Sequence, residues 1–199
     1  HDIDKIGIAM PGPFDYENGI SLMNGQSKYD SIYKLNTTIA IKNSIGGPSL
    51  QIKYINDAAA FLQGEVFASN REEESCILGI TLGTGLGSAV KQRDSKAFDA
   101  NLWDSPYGTT IFEEYLVTRW FTKRFYDLTK IEEKGLKEII NNHQNTQAFL
   151  KLMEEYRIHL YNFLTYFSEK YNCQTFIIGG NISKAWMYID DNKTFNSFH

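Results

Sequence analysis

The sequence predicts an α/β fold, because strand-like and helical segments follow one another along most of the chain. The most informative feature is a set of three short turns, each placed directly after an apolar segment. We interpret each segment as a buried strand that delivers its turn to one edge of a sheet, where ligands collect in open α/β folds. The three turns are Asn56-Asp57, Gly83-Thr84-Gly85-Leu86-Gly87 and Gly179-Gly180-Asn181.

The first quarter of the chain predicts a strand, a hairpin and a weak helix. Residues 3–10 alternate loosely and end at Pro11-Gly12-Pro13, which is typical of a strand followed by a rigid turn. Asn18-Gly19 lies between two short apolar segments and predicts a hairpin. Residues 31–44 predict a weak helix that ends near 45–48, where Gly-Gly-Pro forbids continuation.

The next part of the chain predicts a strand, a helix and an antiparallel strand pair. Residues 50–55 alternate with period two and predict a strand. Residues 58–68 contain no proline and predict a helix. Residues 76–82 and 86–91 predict two antiparallel strands on either side of the Gly-rich turn, whereas residues 93–108 hold no period and predict an irregular loop.

A helix is predicted to follow this loop. Thr109 or Thr110 can cap its N-terminus, and the helix is expected to continue to about Asp127. Glu113 and Glu114 lie in its first turn, where negative charge complements the helix dipole.

The strongest helical signal covers residues 146–171. Apolar side chains recur there at steps of three and four residues, which predicts an amphipathic helix whose apolar face joins the core. A short apolar strand over residues 176–178 then leads to the third turn.

The composition excludes several classes of protein. Hydrophobic residues at 42% and charged residues at 22% are ordinary for a globular chain and argue against disorder. The net charge of −4 and the lack of a basic cluster argue against a nucleic-acid-binding surface. With no signal peptide and no apolar run of membrane-spanning length, we expect a cytoplasmic protein without a membrane partner.

Cys76 and Cys173 are far apart in the sequence. This spacing predicts neither a disulfide framework nor a zinc site. Cys76 opens an apolar run, so we interpret it as a small buried hydrophobic residue.

The Pro11-Gly12-Pro13 turn and the three turns named above, in this order, resemble the ROK family of sugar kinases and sugar-responsive repressors. The resemblance covers about residues 3–90 and 174–185. It implies a ribonuclease-H-like, actin-type ATPase fold with two lobes around a nucleotide cleft. Residues 1–60 would be the remainder of the N-terminal lobe and the hinge side of the sugar cleft, and residues 61–199 the C-terminal lobe. Family chains begin earlier with an Asp-x-Gly-Gly-Thr loop and continue further with more helix, so we expect a fold that is incomplete at both ends.

The resemblance implies an ATP-dependent, glucokinase-like enzyme that phosphorylates a hexose or amino-hexose hydroxyl, with ATP and Mg2+ as cofactors. The alternatives are a catalytically silent sugar-sensing domain and a structural module of the same fold. From the residues alone, Asp57 is better interpreted as a helix N-cap than as a catalytic group. The resemblance reverses this preference, because Asp57 stands at the family's general-base position. The other implied site residues are Asn56, Asn24, Gly12 and Pro13 on the substrate side, and Gly83, Thr84, Gly85, Gly87, Gly179, Gly180 and Asn181 on the nucleotide side.

The sequence departs from the family over residues 98–108. Family kinases have a Glu-x-Gly-His segment and a cysteine-rich zinc knot there, whereas this chain lacks those ligand types, so we expect no zinc. Glu113 and Glu114 resemble the family's Leu-Glu-x-Tyr position after the knot. His143 and His159 lie on helical stretches and are expected to be surface or hydrogen-bonded residues. The sequence leaves open which sugar is the substrate and whether the protein forms a homodimer.

Overall fold

The computed structural model describes residues 3–25, 27–46, 49–190 and 195. The chain divides into two compact units, His1–Phe61 and Leu62–His199. Each sheet lies within one of the two units.

In the first unit, a pair of parallel strands carries the first turn. Met10 lies opposite Asn56 in this pair, so the turn at residues 11–13 and the Asn56-Asp57 turn leave the same end of the two strands. The elements are β1 (Lys5–Met10), β2 (Phe14–Asp15), β3 (Ile20–Ser21), α1 (Thr37–Ile41), β4 (Gln51–Asn56) and the start of α2 (Asp57–Ala68).

The hairpin predicted at Asn18-Gly19 is confirmed, since β2 and β3 pair antiparallel on either side of it. The helix predicted over residues 31–44 is shorter than expected. Asn36 Oδ1 accepts a hydrogen bond from the Ile39 N–H at 3.0 Å and caps α1, so the α-helix cannot begin before this point. A 3-10 turn precedes α1 and a π turn follows it, and Gly47 and Pro48 lie outside the described residues.

The second unit contains a four-stranded sheet in the order β10-β5-β6-β7. β5 and β6 form the predicted antiparallel pair, while β10 adds to β5 in parallel, with Gly179 opposite Thr81. Because the carboxyl ends of parallel neighbours meet at one edge, the second and third turns lie side by side. The strands are β5 (Cys76–Leu82), β6 (Leu86–Gln92), β7 (Phe98–Asp99) and β10 (Thr175–Gly179).

The helix predicted over residues 146–171 is confirmed as α6 (Gln147–Tyr171). Thr146 Oγ1 caps it by accepting a hydrogen bond from the Phe149 N–H at 3.2 Å. Each large apolar side chain that it buries stabilises the fold by roughly 1.5–3 kcal/mol. The buried side chains of α6 are Phe149, Leu152, Met153, Tyr156, Leu160, Phe163, Leu164 and Phe167.

Among the described residues, no helix is both long and apolar enough to cross a membrane.

The helix predicted from Thr109 or Thr110 to about Asp127 is present from Glu113 onward, but its predicted start is wrong and it is interrupted at Val117. Residues 110–111 form a strand instead, because they pair with residues 106–107 in a small hairpin. The interruption occurs at the buried Val117, whose backbone is extended with φ −108° and ψ 171°. The elements of this region are β8 (Pro106–Tyr107), β9 (Thr110–Ile111), α3 (Glu113–Leu116) and α4 (Thr118–Thr129).

Other elements lie where the sequence showed no regular pattern. The loop predicted over residues 93–108 contains β7 and β8, each of only two residues. Strands this short have no period of their own and depend on pairing with a neighbour. The helix α5 (Leu136–His143) was also not predicted, and it buries Leu136 and Ile139.

The two cysteines form a disulfide bond, which corrects the interpretation made from their spacing. Cys76 begins β5, and Cys173 precedes β10, which pairs with β5 in parallel. This pairing brings the two Cα atoms to 4.9 Å across a sequence separation of 97 residues. Both cysteines are buried, as predicted for Cys76.

We expect a Cys76→Ala/Cys173→Ala variant to have a free energy of unfolding about 2–4 kcal/mol below that of the oxidised protein, because the bond restricts the unfolded chain. Urea unfolding measures this difference. The control is the wild-type protein in reductant, which should unfold close to the variant. Equal stability of the variant and the oxidised wild type would contradict a formed disulfide.

Candidate functional site

Asp57 is the first residue of α2 and follows β4 directly, with an exposed side chain. Its Oδ1 accepts a hydrogen bond from the adjacent Ala58 N–H at 2.9 Å. The capping bond of the helix comes from the residue before it, since Asn56 Oδ1 accepts from the Ala59 N–H at 3.1 Å. Asp57 is therefore not the helix cap, and its carboxylate stands at the exposed N-terminal end of α2.

Asn56 is 7% exposed, and both the oxygen and the nitrogen of its side-chain amide are hydrogen-bonded. While Oδ1 caps α2, Nδ2 donates to Tyr16 Oη at 3.2 Å. Tyr16 Oη in turn donates to the Met10 carbonyl oxygen at 3.1 Å, at the end of β1. This chain of bonds fixes the backbone from which Asp57 projects. The sugar contact predicted for Asn56 stays a prediction.

The remaining residues of the predicted substrate side lie in exposed backbone segments. Gly12 and Pro13 follow β1 and leave the strand pair at the same end as Asp57. Asn24 lies in the coil after β3 and is exposed, directly after the fully buried Met23. The strand register thus brings Gly12 and Pro13 to the end where Asp57 lies, and Asn24 is not part of this strand pair.

The Gly-rich turn consists of residues 83–85, which join β5 to β6. Gly83 N–H donates to the Gly85 carbonyl oxygen at 3.2 Å. In the part of the chain that the structure describes, the N–H groups of Thr84 and Gly85 have no acceptor, and both residues are exposed. Two consecutive unpaired N–H groups suit an anion such as phosphate. Gly87 lies inside β6, opposite Thr81, and so belongs to the strand ladder.

The third turn lies against the start of the Gly-rich turn. Gly180 has φ +92°, and a Cβ atom there would lie 2.7 Å from the Leu82 backbone nitrogen. Its carbonyl oxygen accepts from Ser183 Oγ at 2.8 Å. Asn181 Oδ1 accepts from Lys184 Nζ at 3.0 Å, and Gly179 ends β10. The two predicted nucleotide-side turns are therefore adjacent.

Side chains from the junction of α3 and α4 hold the Gly-rich turn, a role for these residues that no sequence pattern indicated. Thr118 donates to the Gly83 carbonyl oxygen twice, from its N–H at 2.8 Å and from Oγ1 at 2.9 Å. Glu113 Oε2 accepts from the Leu86 N–H at 2.9 Å. These contacts could not be predicted, because a continuous helix would place Glu113 and Thr118 on different faces. The interruption at Val117 reorients the two side chains.

Arg119 completes this group. Its Nη1 donates to the Thr84 carbonyl oxygen at 3.2 Å, and its Nη2 donates to Glu113 Oε1 at 2.8 Å. Glu114 accepts two further bonds from Arg119, at 3.0 Å to Nε and 2.6 Å to Nη2. The hydrogen bond from Arg119 lowers the pKa of Glu114, and the Glu114 and Glu113 carboxylates raise the pKa of Arg119. Glu114 and Arg119 are therefore both charged at neutral pH.

An aromatic cluster surrounds Tyr107, in the segment where the sequence departs from the family that it resembles. Tyr107 of β8 stacks on Phe112 with ring centroids 4.2 Å apart, and its Oη lies 3.0 Å from His159 Nδ1. Asn162 Nδ2 donates to the same oxygen at 2.9 Å. Burial lowers the pKa of His159, so its ring is neutral at pH 7. Over the described residues, no group of three or more His, Cys, Asp or Glu side chains is placed to hold a metal.

Comparison with known proteins gives matches only in structure. No family model matches the chain, and no curated protein matches it significantly. A glucokinase from Parabacteroides distasonis superposes with a TM-score of 0.75 at 21% identity, over 98% of this chain and 61% of that one. A ROK family glucokinase from Streptomyces griseus, in complex with glucose and AMPPNP, gives 0.71 at 19%, over 98% and 72%. A ROK family transcriptional regulator, a homologue of the E. coli MLC protein, gives 0.72 at 17%, over 94% and 52%.

The chain has the fold of the ROK proteins. This confirms the α/β class and the actin-type ATPase fold that the sequence resemblance implied. The chain spans 61% of the Parabacteroides glucokinase and about half of the regulator. The ROK fold carries both kinases and a regulator among these structures, so function has to be argued from the site residues.

Proposed function

We propose that this protein is a ROK family kinase that transfers phosphate from ATP to a hydroxyl of a hexose or amino-hexose. The observation that supports the proposal most is the position of Asp57. Its carboxylate is exposed at the carboxyl end of β4, and it does not cap α2 because Asn56 makes the capping bond. A carboxylate that is not needed for folding at such a position suits a general base.

In the proposed reaction, Asp57 acts as the base, ADP is the leaving group and Asn56 positions Asp57. As the sugar hydroxyl oxygen bonds to the γ-phosphorus, Asp57 accepts the hydroxyl proton. The bond between the γ-phosphorus and the bridging oxygen breaks, and ADP leaves with the electron pair. Asn56 keeps the Asp57 backbone fixed and, in this proposal, contacts neighbouring sugar hydroxyls together with Gly12, Pro13 and Asn24.

On the nucleotide side, the N–H groups of Thr84 and Gly85 would donate to phosphate oxygens, and Gly180 and Asn181 would lie against the adenosine. The donors fit this ligand, since backbone N–H groups without acceptors bind anions. Mg2+ would enter with the ATP phosphates and neutralise charge on them. We place the enzyme in the cytoplasm, with sugar and ATP as its partners.

The second candidate is a sugar-sensing domain without catalysis. The match to a ROK transcriptional regulator favours it, and so does the absence of the family's Glu-x-Gly-His segment from residues 98–108. Such a domain would bind sugar through the same residues of the first unit and would need no base. The two candidates therefore differ in turnover and not in sugar binding.

A coupled assay of ADP release across a panel of hexoses and amino-hexoses separates the candidates. We expect the complete protein to turn over at least one sugar well above its ATPase rate without sugar. Sugar binding by calorimetry without turnover of any sugar would favour the sensor. A protein that binds neither sugar nor nucleotide would contradict both candidates and leave the structural module.

A further inference from the structure

We propose that Glu113, Thr118 and Arg119 are positioning residues that hold the Gly-rich turn in the shape that binds nucleotide phosphate. We call these three residues the α3–α4 brace. For the identity of the ligand, this inference rests on the proposed function. The brace and the turn belong to the same unit of the chain, so the geometry that carries the inference is internal to that unit.

The brace satisfies the two carbonyl oxygens that open the turn. Thr118 supplies two donors to the Gly83 oxygen, and Arg119 supplies one to the Thr84 oxygen. Fixing two successive carbonyls fixes the two peptide planes between residues 83 and 85. Because each N–H lies in the same plane as the preceding carbonyl, the directions of the Thr84 and Gly85 N–H groups are fixed as well.

The brace also pairs the Leu86 N–H, a donor that would otherwise compete with the Thr84 and Gly85 N–H groups for the ligand. The Leu86 N–H is paired with Glu113, and the Gly83 N–H is paired within the turn. The unpaired donors of the turn are thereby limited, within the described residues, to the adjacent N–H groups of Thr84 and Gly85. A preorganised pair of donors loses little entropy on binding, which is the advantage of such a brace.

Arg119 acts on the turn and is not itself placed to bind the phosphate. All three of its guanidinium nitrogens are engaged, with the Thr84 oxygen and with the carboxylates of Glu113 and Glu114. It also compensates the charge of the two carboxylates. Removing the guanidinium would free the Thr84 carbonyl and leave two negative charges beside a site for a polyanion.

The first test measures the affinity of the complete protein for Mg-AMPPNP by calorimetry. We expect Arg119→Met to weaken binding about tenfold or more, as one charge-assisted bond and charge compensation are lost. Arg119→Lys should recover part of the loss, because an ammonium keeps the charge without the planar fork. The affinity for sugar should not change, since the brace belongs to the other unit.

Arg124→Met is the matched control. Arg124 lies on α4 like Arg119 and makes a two-bond ion pair with Glu155, at 2.6 and 2.7 Å, without contacting the turn. Its loss should leave AMPPNP affinity at the wild-type value. Equal affinities of the Arg119→Met and Arg124→Met variants would overturn the proposal.

The second test does not need a ligand. Hydrogen exchange in the free protein should show faster exchange of the Gly83 and Leu86 amides in Glu113→Ala and Arg119→Met than in Arg124→Met. Unchanged exchange would overturn the brace. If wild type fails to bind AMPPNP, the proposed function falls, and the exchange comparison still decides whether these residues fix the turn.

Discussion

The Asp57→Asn variant is expected to lose sugar-dependent turnover by roughly two to four decades, the range for removing a general base. An amide cannot accept the hydroxyl proton, although it keeps the size and the polarity of the carboxylate. Nucleotide affinity should hold, because the phosphate donors are assigned to Thr84 and Gly85. Steady-state rates with the best sugar of the panel, together with AMPPNP calorimetry, measure both quantities.

The structure adds a stability control to this experiment. Because Asn56 makes the capping bond, Asp57→Asn and Asp57→Ala should both keep nearly the wild-type melting temperature. Asn56→Ala should instead cost about 1 kcal/mol of stability through the lost cap. Normal turnover of Asp57→Asn would place the base elsewhere. If wild type and variant are equally inactive and bind sugar equally well, the sensing role is correct.

Gly180→Ala is expected to have the largest effect on stability, more than about 4 kcal/mol. Gly180 combines φ +92°, which L residues rarely adopt, with backbone atoms of Leu82 where the Cβ atom would lie. The obstacle is the backbone of a central strand, which cannot move aside as a flexible side chain can. Chemical unfolding, or the yield of folded protein where the variant fails to fold, measures the effect.

Gly83→Ala is the matched control in the adjacent turn. A Cβ atom at Gly83 meets nothing within 4 Å, and no left-handed φ is required there. Its stability should therefore equal that of wild type or rise slightly, by about 0.4–1 kcal/mol at most. Similar stabilities of the Gly180→Ala and Gly83→Ala variants would contradict the close approach of the two turns.

The confirmed predictions concern elements whose signal is local. The strand pair around the Gly-rich turn, the hairpin at Asn18-Gly19 and the helix α6 all follow from residues a few positions apart. Their hydrogen bonds and apolar periods repeat over such short distances, so the sequence displays them directly. The order of the turn motifs carried the resemblance to the ROK family, and the structural matches bear out the fold that it implied.

Other features were beyond sequence reasoning because they depend on distant segments. The helix predicted from residue 109 or 110 begins later because residues 110–111 pair with residues 106–107, and it is interrupted because the buried Val117 is extended. Local propensity favoured a helix there, and tertiary contacts overrode it. The same interruption brings Glu113 and Arg119 together at the Gly-rich turn.

The sequence alone determined the longer strands, the long helix and the three turns, and with them the residues worth testing. Only the tertiary structure decided that Asn56 and not Asp57 caps α2, that Cys76 meets Cys173, and that the second and third turns lie side by side. The last two depend on the pairing of β10 with β5, which also brings together Cys76 and Cys173 across a sequence separation of 97 residues. Pairing at that distance is set by how the whole core packs, and no local pattern of residues encodes it.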